Sequence, residues 1–197
     1  MLYSVNEIFS SIQGEGCNTG MLATFIRFAG CNLDCPWCDT DHTERMYISH
    51  DDILDWCMQD STGRVILTGG EPSQQNLMDL LMVLKREHFW TAIETNGTSS
   101  LLCYKGAGLL DWITVSPKTP EVCVDATIDE IKVVYPGEVT LAAAGRIRAK
   151  YHYVQPCDGP DIDFNTQQAI KFVKEQTRSS HPQWRLGLQM QKILNIK

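Results

Sequence analysis

The chain has 197 residues, of which 43% are hydrophobic and 21% are charged, a composition typical of globular rather than disordered proteins. Its length predicts one substantial core in a single domain, residues 1–197, and is short of the roughly 250 residues of a complete (β/α)8 barrel. The formal net charge of -7 gives no electrostatic reason to bind nucleic acid or anionic lipid, because both surfaces would repel the molecule. Small molecules and proteins are therefore the expected partners.

The amino-terminal stretch does not have the pattern expected of a signal peptide. The sequence MLYSVNEIFSSIQGEG lacks the basic start and the apolar core of a signal peptide, and no apolar run along the chain is long enough to span a bilayer. We therefore expect a cytoplasmic protein, in a compartment that keeps cysteines reduced.

Predicted strands and helices alternate along the chain. Apolar and β-branched runs, each joined to a loop rich in Gly, Pro, Asn or Asp, predict strands in 21–30, 64–72, 90–97, 111–118, 129–136 and 151–160. Amphipathic patterns predict helices in 49–60, 73–87, 138–149 and 164–177, the first with Ser49 as its N-cap. This alternation indicates an α/β fold of parallel units, arranged as one incomplete or compact β/α barrel. Ligands of such folds bind at the carboxyl ends of the strands.

Three cysteines, Cys31, Cys35 and Cys38, follow the first predicted strand in the stretch GCNLDCPWCDT. A structural zinc site needs four ligands, and a thioredoxin-like redox pair would use Cys35 and Cys38 and leave Cys31 unexplained. A [4Fe-4S] cluster held by three thiolates leaves one iron open to a small molecule, and we favour this interpretation. The scattered cysteines are expected to be small core residues: Cys17, Cys57, Cys103, Cys123 and Cys157. A simple electron-transfer protein whose cluster is closed by Cys17 or Cys57 is an open alternative.

The spacing Cys-x3-Cys-x2-Cys resembles the cluster motif of radical S-adenosylmethionine (SAM) enzymes, and LTGGEP resembles their glycine motif for the amino group of SAM. The resemblance implies a partial or modified (β/α) barrel of the radical SAM type. It also implies that the reduced cluster cleaves SAM to a 5′-deoxyadenosyl radical that abstracts a substrate hydrogen. By residue chemistry, Gly69 and Gly70 allow close backbone approach and Glu71 adds an acceptor for an ammonium group. A tight turn before a helix, with Ser73 as its N-cap, is the alternative.

A narrower resemblance extends from about residue 5 to the end of the chain. The segments that carry it are NEIFSSIQGEG, FIRFAGCNLDCPWCDTDHT, LTGGEP, IETNGT, ITVSPK, DEIKVVY and YVQPCDGP, which together are similar to the family of 7-carboxy-7-deazaguanine synthases. Members of this family convert 6-carboxy-5,6,7,8-tetrahydropterin to 7-carboxy-7-deazaguanine with loss of ammonia, use SAM catalytically and are assisted by Mg2+. The resemblance implies a lyase of queuosine or another 7-deazapurine pathway, acting as a homodimer with an external electron donor such as a flavodoxin.

The same resemblance assigns roles to individual positions, with no catalytic residue beyond the cluster and SAM. The metal ligands it implies are Cys31, Cys35 and Cys38 for the cluster and Thr40 for Mg2+. The SAM-binding residues it implies are Trp37, Cys38, Asp39, Gly69, Gly70, Glu71, Ser116, Pro117, Lys118, Gln155, Pro156, Cys157 and Asp158. The substrate-binding residues it implies are Ile12, Gln13, Gly14, Glu15, Arg27, Thr68 and, through its terminal carboxylate, Lys197.

Side-chain chemistry agrees with several of these roles. The planar fork of Arg27 suits the carboxylate of the pterin, although a lone strand arginine is as often an outer-face residue. Gln13 and Glu15 suit the donor and acceptor edge of the pterin ring. The alternative is that their segment is an ordinary glycine turn. Gln191 stands where the family often has histidine, and Cys157 where methionine is common. The alternative function is a glycyl-radical-enzyme activase acting on a large protein, which would need neither QGEG nor Arg27.

Overall fold

The computed structural model describes residues 1–123, 126–137, 139–176 and 180–197. The strands are β1 (Leu2–Ile12), β2 (Leu22–Phe28), β3 (Met46–Ser49), β4 (Arg64–Gly69), β5 (Trp90–Thr95), β6 (Trp112–Val115), β7 (Ile128–Tyr135), β8 (Ala149–Pro156) and β9 (Trp184–Leu186). The helices are α1 (His50–Asp60), α2 (Met78–Arg86), α3 (Leu102–Gly106), α4 (Leu141–Ala144), α5 (Ile162–Lys174) and α6 (Met190–Leu194).

All of these strands belong to one nine-stranded sheet, in the order β3-β1-β2-β4-β5-β6-β7-β8-β9. The neighbours from β2 to β9 pair in parallel, whereas β1 is antiparallel to both β2 and β3. Among the strands in the described ranges, no pairing joins β3 to β9. The sheet is therefore open, and the expectation of an α/β fold with a partial barrel is confirmed. The single-domain extent 1–197 stays a prediction.

The sheet buries apolar side chains on both faces, as parallel sheets do. On the outer face, Leu80 and Leu84 of α2 and Ile53 of α1 are fully buried in the main core, and burial of each such side chain contributes roughly 2 kcal/mol. On the inner face, a smaller cluster joins strands β2, β4 and β5: Ala23, Phe25, Ile66 and Ala92. The inner face above this cluster carries polar side chains, and it is the face on which the site forms.

Most predicted elements are present with shifted ends. Ser49 caps α1, accepting a hydrogen bond from the Asp52 N–H at 3.1 Å. Helix α2 begins only at Met78, because residues 72–74 form a separate 3-10 turn. The predicted helix at 138–149 is wrong, since only α4 is helical there and the chain enters β8 at Ala149. Residues 138 and 177, at the ends of two predicted helices, lie outside the described residues.

Two sequence expectations about strands and cysteines need correction. The stretch before IQGEG forms β1, so the cluster cysteines follow the second strand rather than the first. Of the scattered cysteines only Cys57 is a core residue, and its burial raises the pKa of the thiol to about 12. Cys17 and Cys157 are half-buried, and Cys103 and Cys123 are exposed. No helix in the described part of the chain combines the length and the apolar character needed to cross a membrane.

Candidate functional site

A pocket of about 450 Å3 lies at the carboxyl ends of the parallel strands. Successive strands contribute polar side chains to it: Arg27 from β2, Thr68 from β4, Glu94 from β5, Lys132 from β7 and Gln155 from β8. Because side chains alternate along a strand, these residues share the inner face of the sheet. The pocket thus occupies the edge at which ligands of β/α folds bind.

Nearly all of the residues assigned by resemblance line this one pocket. The residues that do so are Ile12, Gln13, Gly14, Glu15, Arg27, Cys31, Cys35, Trp37, Cys38, Asp39, Thr40, Thr68, Gly69, Gly70, Ser116, Lys118, Gln155, Pro156, Cys157, Asp158 and Lys197. Glu71 and Pro117 are not among the lining residues, and neither are Cys17 and Cys57. The alternative of a cluster closed by Cys17 or Cys57 therefore has no support in the geometry.

The loop after β2 places three reduced cysteines at the pocket wall. The Cys38 N–H donates to the Cys35 carbonyl at 3.0 Å. The Leu33 N–H lies 3.4 Å from Cys31 Sγ, a position from which it can donate a hydrogen bond to the thiolate. Within the described ranges, no three Cys, His, Asp or Glu side chains converge on a single ion. A cubane cluster is bound differently, because each thiolate binds its own iron. The donor set thus fits a three-thiolate [4Fe-4S] cluster better than a mononuclear zinc site.

The glycines of LTGGEP allow the end of β4 to lie directly against the start of the cysteine loop. A Cβ atom on Gly70 would lie 1.8 Å from the Gly30 carbonyl oxygen, and Gly69 has φ +122, which favours glycine. The Glu71 N–H donates to the same Gly30 carbonyl at 2.9 Å. These glycines therefore fix the position of the cysteine loop as well as lining the pocket.

Glu71 is buried and is not among the residues that line the pocket. Its side chain is 1% exposed and accepts hydrogen bonds from Ser73 N–H and Oγ, Thr95 Oγ1 and Asn96 N–H, at 2.6–3.0 Å. Both carboxylate oxygens are engaged, so Glu71 ties the end of β4 to the end of β5. Glu71 also caps the 3-10 turn, whereas Ser73 is not the N-cap of the following helix, because α2 begins at Met78.

Trp37, between the last two cluster cysteines, lies against the loop after β6. The Nζ atom of Lys118 lies 4.9 Å from the centroid of the Trp37 ring and donates to Ser116 Oγ at 2.7 Å. Burial, together with the positive charge of Lys132, lowers the pKa of Lys118 to about 8. This cation–π contact joins the cysteine loop to the SPK segment.

Arg27 is held at the pocket wall by one edge of its guanidinium group. Its Nε donates to Glu7 Oε1 at 2.9 Å, and Glu7 Oε2 also pairs with Nζ of Lys197. Although burial acts to raise the pKa of Glu7, Lys197 and Arg27 outweigh it and lower the pKa. Among the described residues, no hydrogen-bond partner is seen for the Nη atoms of Arg27. The free edge of the fork can therefore bind a carboxylate in the pocket.

Glu15 is the centre of a second polar network. Its Oε2 pairs with Nζ of Lys132, and its Oε1 accepts from the side-chain amides of Gln189 at 3.0 Å and Gln191 at 2.8 Å. Burial acts to raise the pKa of Glu15, but the charge of Lys132 overrides it and the pKa is lowered. Conversely, burial acts to lower the pKa of Lys132, and the neighbouring Glu15 and Glu94 raise it. The two residues form a largely buried ion pair.

Gln13 extends the polar surface to β4 and β5. Its Nε2 donates to Glu94 Oε1 at 2.8 Å, and its Oε1 accepts from the Glu15 N–H at 3.0 Å. Thr68 Oγ1 donates to the other oxygen of Glu94 at 3.0 Å. The pocket thus presents two carboxylates, on Glu15 and Glu94, that can accept hydrogen bonds from ring N–H groups.

The segment at the end of the chain covers one side of the pocket. The Met190 N–H donates to the Gly14 carbonyl at 3.0 Å. Lys192 Nζ lies 2.5 Å from Asp39 and 2.7 Å from Asp158. The polar residues of the site that sequence reasoning missed include Glu94, Lys132, Gln189 and Lys192. For Glu94, the available signal was a single charged residue within the mostly apolar strand β5.

Comparisons with known proteins agree with this geometry. The sequence profile of the Radical SAM superfamily matches residues 25–150. The chain is 38% identical over 197 residues to the 7-carboxy-7-deazaguanine synthase of Bacteroides thetaiotaomicron and 38% identical over 219 residues to that of Burkholderia multivorans, with 100% of both chains covered in each case. The crystal structure of QueE from Escherichia coli superposes with a TM-score of 0.74 at 26% identity, covering 96% of this chain and 95% of that one.

The chain therefore belongs to the radical SAM superfamily and, within it, to the family of 7-carboxy-7-deazaguanine synthases. Membership implies a [4Fe-4S] cluster and SAM as cofactors. It gives no support to the glycyl-radical-enzyme activase alternative, because these relatives are named as synthases.

Proposed function

We propose that this protein is a radical SAM lyase that converts 6-carboxy-5,6,7,8-tetrahydropterin to 7-carboxy-7-deazaguanine with loss of ammonia, a step of queuosine biosynthesis. The observation that carries the proposal is the convergence of the three-cysteine loop, the Gln13–Glu15 turn and Arg27 on one pocket. When bound, the cluster and SAM supply the radical chemistry that removes a hydrogen atom from the substrate.

The wall formed by the cysteine loop suits the cofactors. Cys31, Cys35 and Cys38 hold the cluster and leave one iron for SAM. The remaining SAM contacts we assign to Trp37, Asp39, Gly69, Gly70, Ser116, Lys118, Gln155, Pro156, Cys157 and Asp158, which line the same pocket. Glu71 and Pro117 do not line the pocket, and we assign them to SAM binding through the loops to which they belong.

A second group of pocket residues, which we call the pterin wall, suits the pterin. Arg27 binds the carboxylate on C6 with the free edge of its fork, and the carboxylates of Glu15 and Glu94 accept hydrogen bonds from the ring. Gln13 and Thr68 orient Glu94, and the main chain of Ile12 and Gly14 contributes further polar groups. Lys197 lies at this wall, where Ser11 Oγ donates to its main-chain oxygen.

Further features of the proposal concern Mg2+ and partners. We assign Mg2+ to Thr40, which lines the pocket beside Asp39, because this ion takes oxygen ligands and keeps several waters. The protein is proposed to act in the cytoplasm as a homodimer, with a flavodoxin or a similar protein as electron donor. If Thr40 binds Mg2+, turnover should depend on Mg2+ and Thr40→Ala should weaken that dependence. Analytical ultracentrifugation tests the proposed homodimer.

The decisive experiment is an anaerobic assay of the reconstituted protein with the tetrahydropterin, SAM, Mg2+ and a reductant. Formation of 7-carboxy-7-deazaguanine, followed by mass spectrometry, with SAM regenerated rather than consumed is the expected result. Cleavage of SAM without formation of this product would overturn the assigned substrate while keeping the radical SAM machinery.

A further inference from the structure

Glu130 is a buried acid that the proposed chemistry does not use. It lies on β7 two residues before Lys132, on the same inner face of the sheet, and is 3% exposed. The strand register places it in one row with Thr114 of β6 and Glu94 of β5. It does not line the pocket, so it lies beneath the polar surface that we assign to the pterin. A buried carboxylate needs a strong hydrogen-bond donor to offset its lost hydration.

That donor comes from the turn that carries Glu15. The Cys17 N–H donates to Glu130 Oε2 at 2.7 Å. Gly16 packs against the other oxygen, because a Cβ atom at this position would lie 2.1 Å from Glu130 Oε1, and its φ of +68 also favours glycine. The two residues after Glu15 are therefore shaped to receive the Glu130 carboxylate.

The tip of this turn has two attachments to β7. Lys132 pairs with the side chain of Glu15, and Glu130 accepts the main-chain N–H of Cys17. The base of the turn is closed separately, by hydrogen bonds that join Gln13 to Met21 and Gly20 at 2.8 Å. Glu130 thus fixes the height of the Glu15 backbone above the sheet, independently of the ion pair.

We propose that Glu130 is a positioning residue for substrate binding, which acts through the Cys17 N–H to hold Glu15 at the place where it meets the pterin ring. This inference rests on the proposed function, because Glu15 matters in this way only if the pocket binds the pterin. Loss of the Glu130 attachment weakens substrate binding and leaves the cluster, SAM and the reacting atoms in place.

The charge of Glu130 makes the attachment sensitive to pH. The titratable and charged groups around it include Lys132 on its own strand, Glu94 on β5, Glu15 and Cys17 on the turn, and Tyr151 and Tyr153 on β8. Burial raises the pKa of Glu130 to about 7, against the lowering effect of the Cys17 N–H and Lys132. A neutral carboxyl group accepts a weaker hydrogen bond than a carboxylate, so the KM for the pterin should rise as the pH falls through this range.

The test compares Glu130→Gln and Glu130→Ala with the wild-type holoenzyme, using Glu175→Gln on the exposed end of α5 as the matched control. We expect the KM for the pterin to rise about threefold in Glu130→Gln and about tenfold or more in Glu130→Ala, as for loss of one hydrogen bond to a charged group. We expect kcat, and the rate of SAM cleavage without substrate, to change less than about twofold. The rise in KM at low pH should disappear in Glu130→Gln.

Unchanged KM values in both variants would overturn the inference. A drop in kcat and in SAM cleavage together would do so as well, because that pattern indicates general damage. Should the alanine variant fold poorly, the nearly isosteric glutamine variant still gives the split between KM and kcat. If the wild-type enzyme turns over the pterin and the variants have the same KM, only this inference is rejected. A wild-type enzyme that leaves the pterin unchanged removes the proposed function, and this inference with it.

Discussion

The Nζ atom of Lys192 lies 2.5 Å from Oδ2 of Asp39, the residue that follows the last cluster cysteine. The same atom lies 2.7 Å from Oδ2 of Asp158 in the loop after β8. One lysine on α6 therefore ties together two loops that we assign to SAM. Burial acts to lower the pKa of Lys192, and the two aspartates raise it.

Replacement of Lys192 by glutamine should weaken SAM binding, because both loops lose their shared cation. Partly exposed ion pairs contribute up to about 1 kcal/mol each, so a two- to fivefold rise in the dissociation constant is expected. Anaerobic calorimetric titration of the reconstituted protein with SAM measures this dissociation constant. Lys171→Gln, which removes an exposed lysine on α5, is the control. Identical affinities for the wild type and the Lys192 variant would exclude this role.

Alanine replacement of Cys31, Cys35 or Cys38 should abolish the cluster, because each thiolate binds a different iron. Iron and sulfide analysis after anaerobic reconstitution measures the loss. Cys103→Ala and Cys123→Ala, at exposed cysteines outside the pocket, should keep full iron content. A variant of the three-cysteine loop that still binds four irons per chain would contradict the assigned ligand set.

Arg27→Ala should keep the cluster and SAM cleavage while turnover of the pterin is lost. Removing one partner of a buried, hydrogen-bonded charge pair costs about 2–5 kcal/mol, so kcat/KM should fall at least about thirtyfold. Arg27→Lys should retain only part of the wild-type kcat/KM, because lysine cannot form a bidentate pair with a carboxylate. Arg64→Ala, at an exposed arginine on β4, is the matched control. Normal turnover in Arg27→Ala would reject the contact with the substrate carboxylate.

Glu71→Gln should lower the free energy of unfolding without removing any pocket side chain. The glutamine side chain keeps one acceptor oxygen but replaces the other with an NH2 donor. That donor would face the hydrogen-bond donors of Ser73, Thr95 and Asn96. Unsatisfied buried donors cost about 1–3 kcal/mol. Urea unfolding of the cofactor-free protein measures the change, with the exposed Glu87→Gln as reference. Equal midpoints and slopes for the two variants would show that the buried carboxylate is dispensable.

Local sequence signals located the part of the site that depends on spacing. Cys31, Cys35 and Cys38 are separated by few residues, so one loop brings them to the pocket. Gly69 and Gly70 end a strand whose apolar pattern is unambiguous, and Ser49 caps the helix that it was predicted to cap. Each of these inferences needed only neighbouring residues.

Contacts between distant segments could not be predicted in the same way. Glu71 accepts hydrogen bonds from Thr95 and Asn96, and Glu15 pairs with Lys132, which lies far along the chain. The alanine-rich stretch after Thr140 favours a helix locally, but the chain turns at Gly145 and parallel pairing with β7 makes β8 a strand. Tertiary pairing overrides propensity in such segments.

The carboxylates of the pterin wall are already paired with the protein, and this affects how the pocket discriminates between molecules. Glu15 is matched by Lys132, Gln189 and Gln191, and Glu94 by Gln13 and Thr68. A ring that enters therefore exchanges its donors one for one with those of the protein, which gives only a modest gain in affinity. An analogue that displaces a protein donor but lacks its own donor leaves a buried carboxylate oxygen with one partner fewer, and selectivity against such molecules is steep.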